Sequence, residues 1–143
     1  MRLLSQNTKV EALRLVPLFE GLSKKELTEL ARATDELALR AGAVLCKEGA
    51  LGHEFFVIVD GTVEVTKEGR HLATRGGGDF IGEIALIATS RRTATVTAMT
   101  DVKCFVLTDR AFRRVLDENR SVERKVMQAL AERLASSLPD GAV

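Results

Sequence analysis

The sequence predicts an α+β fold that is mainly β: a barrel or jelly roll of about seven or eight short strands, with helices before and after it. Three observations carry this. From about residue 35 to 108, apolar and polar residues alternate with a period of two, interrupted by turn residues. The flanking segments place apolar residues at helical spacing. Finally, 143 residues with 45% hydrophobic and 29% charged side chains suit one domain with a sizeable core.

Taken in order, Thr8-Lys9-Val10-Glu11 reads as a capping box, with Val10 and Leu13 on one helix face and Pro17 ending the helix. Phe19-Glu20-Gly21 is a short turn. Ser23-Lys24-Lys25-Glu26 is a stronger capping box, and Leu22 and Leu27 have the spacing of a hydrophobic staple. Leu27, Leu30 and Ala31 form the buried face of that helix. Strands then follow at Leu37–Leu39, at Val44–Cys46 and at the solid apolar run Phe55–Val59. Asp60-Gly61 reads as a hairpin turn into Thr62–Thr66. Leu72–Thr74, the Ala94/Val96/Ala98 alternation and the Val102/Cys104/Val106 alternation complete the set. Phe112, Val115 and Leu116 return to helical spacing, and Asn119 breaks that helix. A last helix from about Ser121 carries Val122, Val126, Ala129, Leu130 and Leu134 on one stripe and ends at Pro139-Asp140-Gly141.

Composition excludes several classes. Net charge is +1, so no basic balance points to a nucleic-acid or anionic-membrane partner. With no Trp or Tyr and six scattered Phe, a base-stacking platform is absent. No signal-peptide core or spanning apolar run occurs, which predicts a cytoplasmic chain or a soluble piece of a larger one. Cys46 and Cys104 sit in strand-like apolar runs and read as buried, reduced thiols. Together with His53 and His71 they lack the spacing of a metal site, so no metal and no cofactor are expected.

The chemistry concentrates between residues 76 and 96. Gly76-Gly77-Gly78 loosens the backbone, and Gly82 permits close approach to the main chain. Glu83 is a lone acid in the apolar run Ile81–Ala88, and Arg92 follows nine residues later. A carboxylate suits a sugar hydroxyl. A guanidinium fork suits two phosphate oxygens, and amides of a helical turn near Ile84-Ala85-Leu86 would favour an anion. Two readings stand on the residues alone: a nucleotide pocket, or a Glu83–Arg92 ion pair that closes a loop.

Gly82-Glu83-Ile84-Ala85-Leu86-Ile87, a short loop and Arg92-Thr93-Ala94-Thr95-Val96 resemble the phosphate-binding cassette of the cyclic nucleotide-binding domain family. That family includes regulatory subunits of protein kinase A, catabolite activators and cyclic nucleotide-gated channels. Leu18–Ser23, Ala41–Leu45, Glu48-Gly49 and Glu54–Val65 resemble its flanking elements, so the similarity spans about residues 16 to 137. The resemblance implies an eight-stranded β-roll (jelly-roll-like barrel) flanked by N-terminal helices and a C-terminal helix pair. The chain is then a single domain over 1–143, with a core at 16–137, helices at 8–33, the roll at 35–108 and the last helices at 109–138.

It also implies roles. Arg92 would bind the exocyclic oxygens of a cyclic phosphate, and Glu83 the ribose 2′-hydroxyl with help from the Gly82 backbone. The amides of Ala85, Thr93 and Ala94 would contact the phosphate. Val65, Ala73 and Ile84 would line the base pocket. Leu130 and Leu134 of the last helix would cap the base or pair with a second subunit, unless the stripe simply packs on the barrel. Arg133 would stack on the base, or stay a solvated face residue. Many relatives have Pro where Arg91 stands and Ala where Thr93 stands. The Thr93 hydroxyl suits a guanine amino group but is compatible with cAMP, and cAMP is expected ahead of cGMP.

A non-enzymatic sensor is expected, because no metal set or His–carboxylate pair is present to activate water. Its partner would be an effector protein or a fused output domain, for which residues 139–143 leave no helix-turn-helix, and a homodimer through the last helix is conceivable. The alternative is a nucleotide-independent interaction module on the same fold. A cupin-type metalloenzyme would need more histidines than His53 and His71.

Overall fold

The computed structural model describes residues 6–89 and 91–136. Helix α1 (Gln6–Arg14) leads to a tight 3₁₀ turn at Pro17–Phe19, then helix α2 (Lys24–Ala33). Eight strands follow: β1 (Asp35–Leu39), β2 (Val44–Cys46), β3 (Glu54–Asp60), β4 (Val63–Lys67), β5 (Arg70–Arg75), β6 (Phe80–Ile81), β7 (Thr95–Ala98) and β8 (Val102–Thr108). Helices α3 (Asp109–Glu118) and α4 (Arg120–Ser136) close the described chain. The strands form two four-stranded antiparallel sheets, in the orders β1-β8-β3-β6 and β2-β7-β4-β5. This is the α+β β-roll that the sequence predicts.

The local signals explain most of it. Ser23 caps α2 by accepting from the Glu26 amide, and the Glu26 carboxylate accepts from the Ser23 amide. The Thr8 box is overturned: α1 is already helical at Gln6, so Thr8 lies within it. Asn119 caps the end of α3 and bonds the Val115 carbonyl. The expected end of α4 at Pro139-Asp140-Gly141 lies outside the described residues.

The solid apolar run of β3 has a plain cause. Phe55 and Val57 face one apolar layer, built with the four helices, while Phe56 and Ile58 face the roll interior. Strand β8 is shared in the same way, with Phe105 and Leu107 outward and Val102, Cys104 and Val106 inward. Phe112 of α3 stacks on Phe55 at 4.3 Å between ring centroids, docking the last helices on β3.

Asp60-Gly61 is not a hairpin. Strand β3 pairs with β8 and β6, whereas β4 pairs with β5 and β7, so the chain changes sheets there. Gly61 has φ +97, and a Cβ would lie 2.3 Å from the Asp101 carbonyl oxygen. The glycine therefore serves a corner, which in sequence looks the same as a hairpin. The true two-residue hairpin is Glu68-Gly69, with φ +53 and +79, between the paired Lys67 and Arg70. No helix among the described residues is long and apolar enough to cross a membrane.

Candidate functional site

Between β4–β5, the 82–94 segment and the end of α4 lies a cavity of about 620 Å³. Gly82, Glu83, Ile84, Ala85, Arg92, Thr93 and Ala94 all line it, as do Val65, Ala73, Arg133 and Leu134. Leu130 does not: it is buried in the packing of α4, with Val122 and Val126 of the same stripe. Because these residues project on the packed side of the helix, only the last turn of the stripe reaches the cavity.

The cradle starts at Gly82, whose φ of +101 no L side chain adopts comfortably. A Cβ there would meet the Glu54 carbonyl and the Arg92 guanidinium, each at 2.8 Å. Glu83 opens a short helical stretch whose continuation, Ala85–Thr89, is a wide π turn. π turns are uncommon and concentrate at functional sites. Arg113 of α3 donates to the Leu86 carbonyl of that turn at 2.9 Å, tying the cradle to the helices.

Arg92 is only 7% exposed. Its guanidinium donates to the carbonyls of Gly82 (3.2 Å) and Glu54 (2.8 Å) and lies over the Phe56 ring. Its main chain is held by Ala50 and Gly49 on the neighbouring loop. Gly52 gives it room, since a Cβ would stand 2.8 Å from its Nε. Among the described residues no carboxylate pairs with Arg92. The loop-closing Glu83–Arg92 ion pair is thus overturned.

Glu83 pairs instead with Arg133, whose Nη1 donates to Oε1. The carboxylate is 1% exposed, and its Oε2 has no hydrogen-bond partner among the described residues. Arg133 also sits over the Phe80 ring, 4.8 Å from its centroid. It is therefore not a solvated face residue. Periodicity could not reveal this, because the acid and its partner lie on elements fifty residues apart.

Several lining residues were not singled out from sequence. Ile81, Val96 and Cys46 line the apolar side of the cavity, and Lys67, Glu68, Leu72, Arg75 and Ser136 line the rest. Burial pushes the Cys46 thiol up from 9.0 to about 11, against the opposing pull of Arg92. Cys104, also buried and free, is pushed to about 11 by burial and then by Glu54. Among the described residues no group of three or more His, Cys, Asp or Glu is placed to hold a metal ion.

Residues 36–119 match the family profile of the cyclic nucleotide-binding domain. The chain is 36% identical over 118 residues to a cyclic nucleotide-gated potassium channel of Rhizobium etli, covering 82% of this chain and 33% of that protein. It is 32% identical over 114 residues to a cGMP-dependent protein kinase of Caenorhabditis briggsae, covering 80% and 15%. The regulatory domain of Toxoplasma gondii PKA, solved with cAMP, superimposes with a TM-score of 0.81 at 25% identity, over 89% of this chain and 50% of that one. The chain spans a third or less of the length of these two curated relatives. A profile covering more than half the chain, around a cavity of this make-up, shows that the chain belongs to the cyclic nucleotide-binding domain family.

Proposed function

We propose that the chain binds a 3′,5′-cyclic purine nucleotide in this cavity and acts as a sensor module rather than an enzyme. One observation carries the reading. Among the described residues, a buried guanidinium with no carboxylate partner and a buried carboxylate oxygen with no donor line the same cavity. Each is costly alone, and a cyclic phosphate and a ribose hydroxyl would satisfy them together. Arg92 takes the exocyclic oxygens, Glu83 Oε2 the 2′-hydroxyl beside Gly82, and the amides of Ala85, Thr93 and Ala94 the remaining phosphate oxygens. Ile84, Val65 and Ala73 contact the base, and Leu134 covers it from α4.

The domain occupies 1–143 with its core at 16–137. Its output passes through α4, because Arg133 ties that helix to the ribose-binding acid. The effector is a separate protein or a fused domain, as suits relatives that are channels and kinases. A second copy is a further partner, met through α4, where Met127 is exposed, and a cytoplasmic location goes with this role. The expectation of cAMP ahead of cGMP rests on the family at large, since the relatives' printed names are divided between the two.

Isothermal titration calorimetry with cAMP and cGMP on the wild type and on Arg92→Ala tests the reading. Binding of at least one nucleotide by the wild type, weakened in the variant, supports it. No heat from either at millimolar ligand would sink it.

A further inference from the structure

One loop touches both the buried arginine and the rim of the cavity. Residues 47–52 run beside Arg92. The Gly49 amide donates to the Arg92 carbonyl at 2.8 Å, and the Arg92 amide donates to the Ala50 carbonyl at 2.7 Å. From the same loop Glu48 reaches the other way. Its amide donates to Thr95 Oγ1 at 3.1 Å, and its carboxylate accepts from the Glu68 amide at 3.0 Å. Glu68 opens the two-residue turn between β4 and β5. Lys67 and Glu68 are both exposed and both line the cavity, so this turn stands at its mouth. Glu68 has φ +53, the one positive φ at a non-glycine position among the described residues. That conformation is unfavourable for a residue with a Cβ, and it persists where the surroundings hold it. The half-buried Glu48 supplies such a hold, since a carboxylate accepting from a main-chain amide makes a charge-assisted bond.

We propose that Glu48 is a positioning residue for nucleotide retention: it latches the β4–β5 turn to the strand that begins beside Arg92 and so keeps the cavity mouth in its ligand-holding form. This rests on the cyclic-nucleotide reading above. Glu48 does not itself line the cavity, so its effect passes through Lys67 and Glu68. A turn already held in place need not be ordered when ligand arrives. An unlatched turn leaves phosphate, ribose and base contacts in place but gives the ligand an easier exit. Arg92 stays fixed, because its bonds to Gly49 and Ala50 are main chain to main chain.

Surface plasmon resonance on the immobilised full chain with cAMP and cGMP, alongside hydrogen–deuterium exchange, tests this. Glu48→Ala should raise the dissociation rate of the bound nucleotide about fivefold without slowing association. It should also speed exchange over residues 65–71 and leave 91–97 unchanged. Glu48→Gln keeps an oxygen that accepts from the Glu68 amide, and should stay within about twofold of the wild type. Thr95→Val removes only the hydroxyl that anchors the Glu48 amide, and should show the same trend where alanine at 48 lowers the thermal melt. An unchanged dissociation rate in Glu48→Ala overturns the proposal. So does a faster rate that glutamine fails to restore, which would assign the effect to charge alone. Faster exchange over 91–97 would place the effect on Arg92 and also overturns it. Binding by the wild type with no change in the variants sinks this proposal alone. If neither nucleotide binds the wild type, the cyclic-nucleotide reading fails first, and this one falls with it.

Discussion

Arg133 on α4 is hydrogen-bonded to Glu83 at the mouth of the π turn, so the last helix and the buried acid of the cavity are one unit. Glu83 is 1% exposed and the Arg133 side chain 20%, so the pair is mostly shielded from water. Removing one partner strands the other. Arg133→Ala should lower unfolding free energy by up to about 3 kcal/mol in urea titration. The double variant Glu83→Gln/Arg133→Met should recover part of that loss, since it leaves neither charge of the pair stranded. Recovery of none would show that the two side chains act independently.

Arg92 makes a different prediction, because among the described residues no carboxylate pairs with its charge, while its N–H groups hold two carbonyls. Arg92→Ala should weaken cyclic-nucleotide binding by about one to two decades, the value of roughly 1.5–3 kcal/mol for a charged hydrogen bond. Arg92→Lys keeps the charge but not the fork. It should therefore recover little affinity in calorimetry, and full recovery would mean that charge alone matters.

Much of this site is legible because its residues are close in sequence. Gly82, Glu83 and Arg92 lie within one segment; their types alone leave a ligand pocket and a loop-closing ion pair both open, and the resemblance of the segment to a known cassette favours the pocket. The capping box at Ser23 and the helix stop at Asn119 are equally local. What depends on distant pairing is not legible. Asp60-Gly61 satisfies hairpin chemistry yet turns between sheets, because β3 finds β8 and β4 finds β7. Arg133 looks like any exposed helical arginine until Glu83 is placed beside it. Leu130 and Leu134 share a stripe, but the helix buries the first in its packing and leaves only the second at the cavity.

Gly82 should be intolerant of any side chain. Its φ of +101 is strained for alanine, and the Cβ would press on the Glu54 carbonyl and Arg92 at once. Gly82→Ala should cost roughly 1–3 kcal/mol of stability and weaken nucleotide binding further by displacing Arg92. Gly52→Ala is the informative companion. There φ is not left-handed, but the Cβ would lie 2.6 Å from that of Ala85 and 2.8 Å from Arg92 Nε. It should impair binding in calorimetry without any contact to ligand. Unchanged affinity in Gly52→Ala would mean that the Arg92 position is not critical.

The two cysteines give a pH-dependent test of where the ligand sits. Burial raises both thiols from 9.0 to about 11 in the folded protein. Between those values the folded chain holds more protons than the unfolded one, so this contribution to stability is level below pH 9, falls as pH rises from 9 through 11, and levels off above that. Alkylation by iodoacetamide should therefore be slow at pH 8, because the thiolate is the reactive form. Only Cys46 lines the cavity, whereas Cys104 lies in the roll interior on β8. Saturating cyclic nucleotide should slow alkylation of Cys46, read by mass spectrometry at pH 9, by a larger factor than that of Cys104. Equal protection of both would trace the effect to global stabilisation by the ligand. A larger effect at Cys104 would place the ligand elsewhere.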